Sequence, residues 1–323
     1  MPLLTSSYRA PFYLFNGHLE TVVPSLFRKI TNVTYTRARL ELPDGDFLDL
    51  DWLRQQSPQL VIISHGLEGS SERHYCKGMA RYFFQQGWDT LAWNCRSCSG
   101  EMNRLPRFYH HGATEDLGAV VDHALAKGYH HVALVGISMG GSMTLKYLGE
   151  RAANLSPAIR VAATFSVPCH LGASAAALDK SANRFYLKRF LQKLGKKIRA
   201  KEKMFPGTIS ATGFEDIRTF REFDNRYTAP LHGFRHADDF YERASCMPHL
   251  PKINVPTLLV NARNDPFLPE ACYPVELVKG NPLVSLEIPL RGGHTGFTQH
   301  TLAATNYMEQ SAFDFCMSAI KNG

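Results

Sequence analysis

The stretch His131-Val132-Ala133-Leu134-Val135-Gly136-Ile137-Ser138-Met139-Gly140-Gly141 is a short apolar run in which glycines stand on both sides of one serine. This pattern predicts a buried strand that turns sharply into a helix, with Ser138 at the turn. Small residues are needed there because the backbones of strand and helix approach each other closely. The pattern also fits a chance loop of glycine and serine. The helical spacing of Met143, Leu145, Tyr147 and Leu148 favours the strand and helix.

Other apolar runs alternate with helical patterns along most of the chain. Residues 59–64 are almost entirely apolar, which is typical of a strand buried on both faces of a parallel sheet. Residues 35–53 predict a hairpin at the sheet edge, with Asp49 and Asp51 on the face opposite its apolar side chains. The alternation predicts an α/β fold with a doubly wound, mostly parallel sheet. The other predicted elements are helices at 79–86, 114–125 and 302–320 and strands at 89–93, 160–167, 256–262 and 284–289.

Three residues of the types found in a catalytic triad follow three of these strands. Ser138, Asp265 and His294 each come shortly after a predicted strand. A serine hydroxyl is a poor nucleophile at neutral pH, so it needs a histidine as general base and an acid that orients the histidine. Because the carboxyl ends of parallel strands share one edge of a sheet, the three side chains are predicted to meet there. Asp238 and Asp239 are rival acids, but they lie outside the strand pattern, so Asp265 is preferred.

A site of this kind also needs backbone N–H groups for the oxyanion that forms on nucleophilic attack. The loop His65-Gly66-Leu67 follows the strand at 59–64, and Met139 follows the serine. These are the two positions from which a serine at a strand-to-helix turn receives its donors. We therefore assign the oxyanion hole to the backbone amides of Leu67 and Met139. His65 has no neighbours at metal-ligand spacing and is predicted to make a structural hydrogen bond, and neither a metal nor an organic cofactor is predicted.

The alternation of strands and helices is interrupted at about residues 171–250. This segment is rich in aromatic residues and helical patterns, which predicts a helical lid inserted into a single domain of residues 1–323. Nine Lys and Arg residues occur between Arg184 and Lys203. At helical spacing, apolar residues that include Leu194 form a stripe along one side of the helix, and most of these cations lie on the rest of its surface. The stripe is predicted to cover the site, and weak contact of the basic face with anionic membranes is a second, functional prediction.

Composition excludes several other classes of protein. The 323 residues are 44% hydrophobic, which is ordinary for a globular protein with a sizeable core. The net charge of +7 is not accompanied by a nucleic-acid motif, so no nucleic-acid partner is predicted. Seven cysteines indicate reduced thiols in the cytoplasm, and the pair Cys95 and Cys98 lacks the second pair that a zinc site needs. Neither a secretory signal nor a membrane-spanning segment is predicted.

Several short motifs are spread over nearly the whole chain. They are Gly17-His18-Leu19-Glu20-Thr21, residues 65–70, residues 94–101, Tyr109-His110 with Gly112 and Asp116, the stretch around Ser138, Asn264-Asp265-Pro266-Phe267 and residues 292–297. Together they resemble the YheT-like branch of the α/β-hydrolases, esterases related to membrane-anchored acylglycerol and phospholipid lipases of animals. The resemblance implies an α/β-hydrolase fold with a triad at Ser138, Asp265 and His294. Ser97 departs from it, because glycine is expected at that position.

The sequence thus predicts a serine hydrolase that cleaves carboxylic esters through an acyl-enzyme. The predicted partner is a small acyl ester, either a short- to medium-chain ester or an acylglycerol. An acyltransferase or a thioesterase with the same triad is an alternative, because the acyl group can pass to an alcohol or come from a thioester. A noncatalytic binding protein is a further alternative, since a fold does not fix a function.

Overall fold

A computed structural model describes residues 3–322, whose centre is a nine-stranded sheet. The strands are β1 (Leu3–Leu4), β2 (Thr36–Glu41), β3 (Phe47–Leu53), β4 (Gln59–Ser64), β5 (Asp89–Asn94), β6 (His131–Ile137), β7 (Ile159–Phe165), β8 (Thr257–Val260) and β9 (Val284–Glu287). Their order is β1-β9-β8-β7-β6-β4-β5-β3-β2. Neighbours from β1 to β5 in this order are parallel, whereas β3 pairs antiparallel with both β5 and β2. The predicted α/β fold with a doubly wound, mostly parallel sheet is confirmed.

Helices lie around this sheet. They are α1 (Gly17–Phe27), α2 (His74–Gln85), α3 (Thr114–Ala126), α4 (Met139–Arg151), α5 (Leu171–Leu178), α6 (Arg184–Met204), α7 (Phe220–Phe223), α8 (Ala229–Leu231), α9 (Ala237–Ala244), α10 (Val275–Lys279) and α11 (Tyr307–Asn322). α2 and α11 pack on one face, and α3 and α4 pack on the other. Alternate residues of β4 pack on opposite faces of the sheet. Val61 packs with α2 and α11, and Ile62 packs with α3 and α4. Within residues 3–322, no helix combines the length and apolar character needed to cross a bilayer.

The ends of two helices and the place of the hairpin differ from the predictions. α2 begins five residues before the predicted start, and α11 begins five residues after it. The hairpin forms, but only β2 is at the edge, since β3 also pairs with β5. Asp49 and Asp51 on β3 are 3% and 1% exposed. Register explains their burial, because Arg39 and Arg37 of β2 lie directly opposite and pair with them at 2.9 and 2.8 Å.

Residues 166–256 join β7 to β8 and contain α5 to α9. Their aromatic side chains form an apolar cluster of their own, which also includes Phe267 and Tyr273 beyond β8. A π-helical turn, Asp224–Thr228, lies between α7 and α8. This connection is built mostly from helices, in agreement with the helical patterns of its sequence.

The cations of α6 lie on more than one face of the helix: five of the nine are exposed, and the others are partly or fully buried. Lys193, Lys197 and Lys201 point inward, and Lys201 is fully buried. Their i, i+4 spacing places them on one face, where oxygen atoms of the loops after β4 and β5 accept their hydrogen bonds. The exposed cations form the other set: Arg184, Lys188, Lys196, Arg199 and Lys203.

Candidate active site

Ser138 lies at the turn between β6 and α4. Its backbone is in a strained region, with φ of 56° and ψ of −119°, and its N–H donates to the carbonyl of Phe165 at 2.8 Å. The glycines beside it are sterically required. A Cβ on Gly140 would lie 2.2 Å from the carbonyl oxygen of Ser64, and one on Gly136 would lie 2.5 Å from that of Gly140. The turn therefore has the form that the sequence predicts, with the serine held at the carboxyl edge of the sheet.

The structure brings Ser138, His294 and Asp265 together. His294 Nε2 is 3.0 Å from Ser138 Oγ, and His294 Nδ1 is 2.8 Å from Asp265 Oδ2. The other carboxylate oxygen of Asp265 accepts a hydrogen bond from the N–H of Phe267 at 2.8 Å, and its side chain is fully buried. Such a chain lets the histidine take the serine proton while the carboxylate stabilises the resulting imidazolium.

The rival acids lie elsewhere. Asp238 and Asp239 are on α9, where Arg221 pairs with Asp238 at 2.6 Å and Arg235 pairs with Asp239 at 2.9 Å. Both carboxylates therefore have surface ion-pair partners. Neither contacts His294 within the hydrogen bonds of residues 3–322.

The loop after β4 lies against the serine. A Cβ on Gly66 would be 3.1 Å from Cβ of Ser138. The N–H groups of Gly66 and Glu68 donate to tyrosine hydroxyls at 3.2 and 2.9 Å. The N–H groups of Leu67 and Met139 have no acceptor anywhere in the described part of the chain. These two amides are therefore free to bind a developing oxyanion.

His65 supports this loop and is buried. Its Nδ1 donates to the carbonyl of Gly66 at 2.7 Å, and its Nε2 accepts from the N–H of Cys95 at 3.1 Å. Burial lowers the pKa of His65 to about 4, so the ring is neutral and can serve as donor and acceptor at once. The structural role predicted for His65 agrees with these contacts.

Sequence reasoning assigned no role to α1, yet this helix joins the two loops that carry the acid and the histidine. The carboxylate of Glu20 is 1% exposed and accepts three hydrogen bonds. They come from Asn264 Nδ2 at 2.8 Å, Arg291 Nε at 2.7 Å and the N–H of Gly292 at 2.7 Å. Asn264 precedes Asp265, and Gly292 lies two residues before His294, so one carboxylate fixes both loops.

The next residue of α1 adds a direct contact to the histidine. Thr21 Oγ1 accepts from the N–H of His294 at 2.8 Å. Close packing makes this contact possible, because a Cβ on Gly17 would lie 2.0 Å from the carbonyl oxygen of Asn264. Asn16 caps the start of the helix by accepting from the N–H of Leu19 at 2.9 Å. The signal in the sequence is the motif at 17–21, which the resemblance includes but does not explain.

A cavity of about 180 Å³ opens on Ser138 and His294. The ring of Phe267 packs on that of His294 with centroids 4.2 Å apart, which closes one side of the triad. Most of the wall comes from the helices between β7 and β8. The aliphatic and aromatic lining includes Leu171, Ala175, Leu178, Phe190, Leu194, Phe220, Phe223, Tyr227 and Phe240.

A mostly parallel sheet with a serine at the turn after β6, and an acid and a histidine in the loops after β8 and β9, defines an α/β-hydrolase. Solved structures agree with this class. An esterase of Pyrococcus furiosus matches with a TM-score of 0.59 and 16% identity, covering 91% of this chain and 95% of that one. At this identity the match concerns the fold.

The chain belongs to the Hydrolase_4 family, described as serine aminopeptidase S33, whose profile matches residues 55–273. It is 37% identical over 295 residues to "Putative esterase YheT" of Escherichia coli (strain K12), covering 89% of this chain and 86% of that protein. It is 30% identical over 338 residues to Phospholipase ABHD3 of Mus musculus, covering 100% of this chain and 81% of that one. The predicted YheT-like α/β-hydrolase is confirmed, and the protein is an enzyme.

Proposed function

We propose that this enzyme is a serine hydrolase that cleaves carboxylic esters through an acyl-enzyme. Ser138 is the nucleophile, His294 transfers protons, and Asp265 orients and stabilises His294. The observation that carries the proposal is the continuous hydrogen-bonded chain from Ser138 Oγ through His294 to Asp265, with links of 3.0 and 2.8 Å. The relatives named as esterase and phospholipase support ester hydrolysis as the reaction.

In the first half of the reaction, Ser138 Oγ attacks the carbonyl carbon of the ester while its proton passes to His294 Nε2. The carbonyl electrons move to oxygen, and the N–H groups of Leu67 and Met139 hold the oxyanion. The carbon–oxygen bond to the alcohol then breaks, and the alcohol leaves with the proton from His294. The product of this half is an acyl group on Ser138.

In the second half, His294 takes a proton from a water molecule, which attacks the acyl-enzyme. The same two amides hold the second oxyanion. Release of the carboxylic acid returns the proton to Ser138 and restores the site. If an alcohol replaces the water, the same steps give acyl transfer, so the alternative of an acyltransferase differs only in the acceptor.

The cavity supports a short- to medium-chain acyl ester or an acylglycerol as substrate. Its wall is mainly aliphatic and aromatic, and burial of each methylene of an acyl chain contributes about 0.8 kcal/mol. Most of this wall comes from residues 171–250, so we propose that this segment is a lid within a single domain of residues 1–323. All seven cysteines lie within the described residues and are free thiols, which supports a reducing compartment such as the cytoplasm.

The test combines Ser138→Ala with hydrolysis of p-nitrophenyl esters of graded chain length. We expect Ser138→Ala to reduce kcat by on the order of 10⁶-fold with an unchanged unfolding temperature. A fluorophosphonate probe should label the wild type and not this variant. The matched control is Ser142→Ala, on the first turn of α4. Within the described residues, its hydroxyl makes a single hydrogen bond, to the carbonyl of Pro168 at 3.5 Å. Full activity of folded Ser138→Ala would refute the assignment, and product analysis with added alcohol separates hydrolysis from transfer.

A further inference from the structure

The cavity over Ser138 is lined by more cationic than anionic side chains. The cations are Arg73, Arg189, Lys193 and Lys197, and the carboxylates are Glu68 and Asp224. These cations would not stabilise a purely neutral ester, and a charge that faces an apolar wall costs solvation energy.

Both carboxylates already accept hydrogen bonds from side chains of the protein. Glu68 Oε1 accepts from Lys197 Nζ at 2.7 Å, so these two charges compensate each other. Asp224 Oδ2 accepts from the hydroxyl of Tyr241 at 2.8 Å, and the other oxygen accepts from Thr228. Burial raises the pKa of Asp224 to about 6, and no cation contacts it within the described residues. Within the described residues, neither carboxylate forms an ion pair with any of the remaining three cations.

Arg73, Arg189 and Lys193 have no ion-pair partner in the part of the chain that the structure describes. Lys193 Nζ donates to the carbonyl oxygen of Glu68 at 3.0 Å, which satisfies one of its three donors but not its charge. Burial lowers the pKa of Lys193 to about 8. The nearby charges of Arg73, Arg189 and Lys197 act in the same direction, and the charge of Glu68 acts in the opposite direction. The three side chains thus form an uncompensated positive region that an anion would stabilise.

A helix end adds to this positive region. α2 begins at His74, directly after Arg73, and no side chain among residues 3–322 caps its first N–H groups. His74 and Tyr75 line the cavity, so the first turn of this 12-residue helix forms part of the cavity wall. Free N–H groups and the helix dipole favour an anion at such an end. Burial lowers the pKa of His74 to about 3, so its ring adds no charge.

The cavity has an apolar part and a cationic part, and each suits a different part of an ester. The apolar wall from α5, α6 and α7 suits the acyl chain. Lys193 Nζ donates to the carbonyl of Glu68, the residue after Leu67, so this cation lies beside the loop that faces the ester carbonyl. When an ester binds at Ser138 with its acyl chain on the apolar wall, its alcohol part can contact the cations.

We propose that Arg73, Arg189 and Lys193 form a subsite for an anion, a phosphate or a carboxylate, on the alcohol part of the ester substrate. This inference rests on the proposed hydrolysis at Ser138 and defines the substrates as acyl esters of anionic alcohols. The three residues act on specificity by binding the anion and take no part in proton transfer.

The first experiment compares kcat/KM for esters whose acyl parts all have six carbons. One pair is 1-hexanoylglycerol 3-phosphate and 1-hexanoylglycerol. A second set tests carboxylates against neutral propyl hexanoate: 3-(hexanoyloxy)propanoate has the anion on the alcohol part, and monopropyl adipate has it on the acyl part. We expect a preference of about tenfold or more for an anion on the alcohol part, as one charge-assisted hydrogen bond provides. Monopropyl adipate should be the poorest substrate.

Variants then test the assigned residues. Arg73→Gln, Arg189→Gln and Lys193→Gln should each reduce the preference about tenfold, with the neutral ester reporting any general damage to the site. Lys193→Arg keeps the charge and should retain most of the preference. The matched control is Lys188→Gln, on the exposed face of α6 and outside the cavity wall, which should leave the preference intact.

The outcomes separate this inference from the proposed function. Equal kcat/KM for charged and neutral esters, or a preference that survives all three glutamine variants, overturns the anion subsite while hydrolysis at Ser138 stands. If the wild type hydrolyses no ester, the proposed function fails, and inorganic phosphate tests the subsite alone. Phosphate should then raise the unfolding temperature of wild type and Ser138→Ala but not of Lys193→Gln, at matched ionic strength. No rise in wild type would overturn the subsite as well.

Discussion

Replacing Glu20 by glutamine tests whether α1 positions the triad. The carboxylate of Glu20 binds one residue of the acid loop and two of the histidine loop, at 2.7 to 2.8 Å. A glutamine has the same shape but only one acceptor oxygen, so at least one donor faces its NH₂ group. Because the three donors point at two different oxygens, flipping the amide does not remove the conflict.

The size of the effect follows from the bonds that are lost. A hydrogen bond to a charged group contributes about 1.5–3 kcal/mol, and the remaining bonds weaken when the charge disappears. We expect the free energy of unfolding to fall by about 3 kcal/mol, reduced somewhat because Arg291 is partly exposed. A misplacement of about 1 Å between catalytic groups costs on the order of 100-fold in rate, so kcat should fall by that amount. KM should change little, because Glu20 does not line the cavity.

The assay is kcat and KM on a neutral ester well below the unfolding temperature, with Asp89→Asn as matched control. Asp89 is 2% exposed and accepts from the N–H of Gln55 at 2.7 Å and the hydroxyl of Tyr129 at 2.6 Å. It opens β5 at the amino edge of the sheet, opposite the site. Asp89→Asn should lower the free energy of unfolding by an amount similar to that of Glu20→Gln and leave kcat unchanged. If both variants keep kcat, Glu20 has only a structural role and the positioning argument is wrong.

The remaining predictions concern the acid and the pH dependence of specificity. Asp265→Asn should lower kcat on the order of 10⁴-fold, because the amide holds His294 in the wrong tautomer, whereas Asp239→Asn should be normal. The reverse result would reassign the acid. The preference for anionic esters should fall as pH rises through about 8, since Lys193 then loses its proton, and Lys193→Arg should extend the preference to higher pH. Glu68, Arg73, Arg189 and Lys197 face Lys193, and a pH-independent preference would exclude Lys193 as its source.

Local features of the fold could be predicted because their causes are local. The turn at Ser138 depends on glycines two residues away on either side, and both are required by close backbone contacts. β4 has the predicted bounds because a continuous apolar run specifies burial on both faces. Ser97 is the one departure noted in the motifs. Its φ of 62° explains the expectation of glycine, and hydrogen bonds with Asn103 hold the serine in that conformation.

Long-range contacts could not be predicted in the same way. Glu20 and Asn264 are separated by 244 residues, and no period or spacing in the sequence relates them. α1 also contains Pro24 and exposes large apolar side chains such as Phe27, so it lacks a clear amphipathic stripe. A carboxylate whose partners all lie in distant loops can be recognised only when the fold brings those loops together.

The contacts of the α6 cations could not be predicted from the sequence either. Periodicity specified a helix with an apolar stripe, but it did not reveal that the loop after β4 accepts hydrogen bonds from Lys193 and Lys197. A test of membrane contact must therefore use exposed cations, and Lys188, Lys196 and Lys203 meet this condition.

We propose weak, reversible binding of the exposed face of α6 to anionic vesicles. Each cation near such a surface contributes about 1 kcal/mol, so changing Lys188, Lys196 and Lys203 to glutamine should reduce binding on the order of 100-fold. Binding should be measured by sedimentation with phosphatidylserine vesicles at low salt, and it should weaken as salt screens the charges. Neutral phosphatidylcholine vesicles should bind neither protein. The inward-facing Lys197→Gln is the matched control and should bind like the wild type. Equal sedimentation of the wild type and the triple variant would leave the exposed face without a role at membranes.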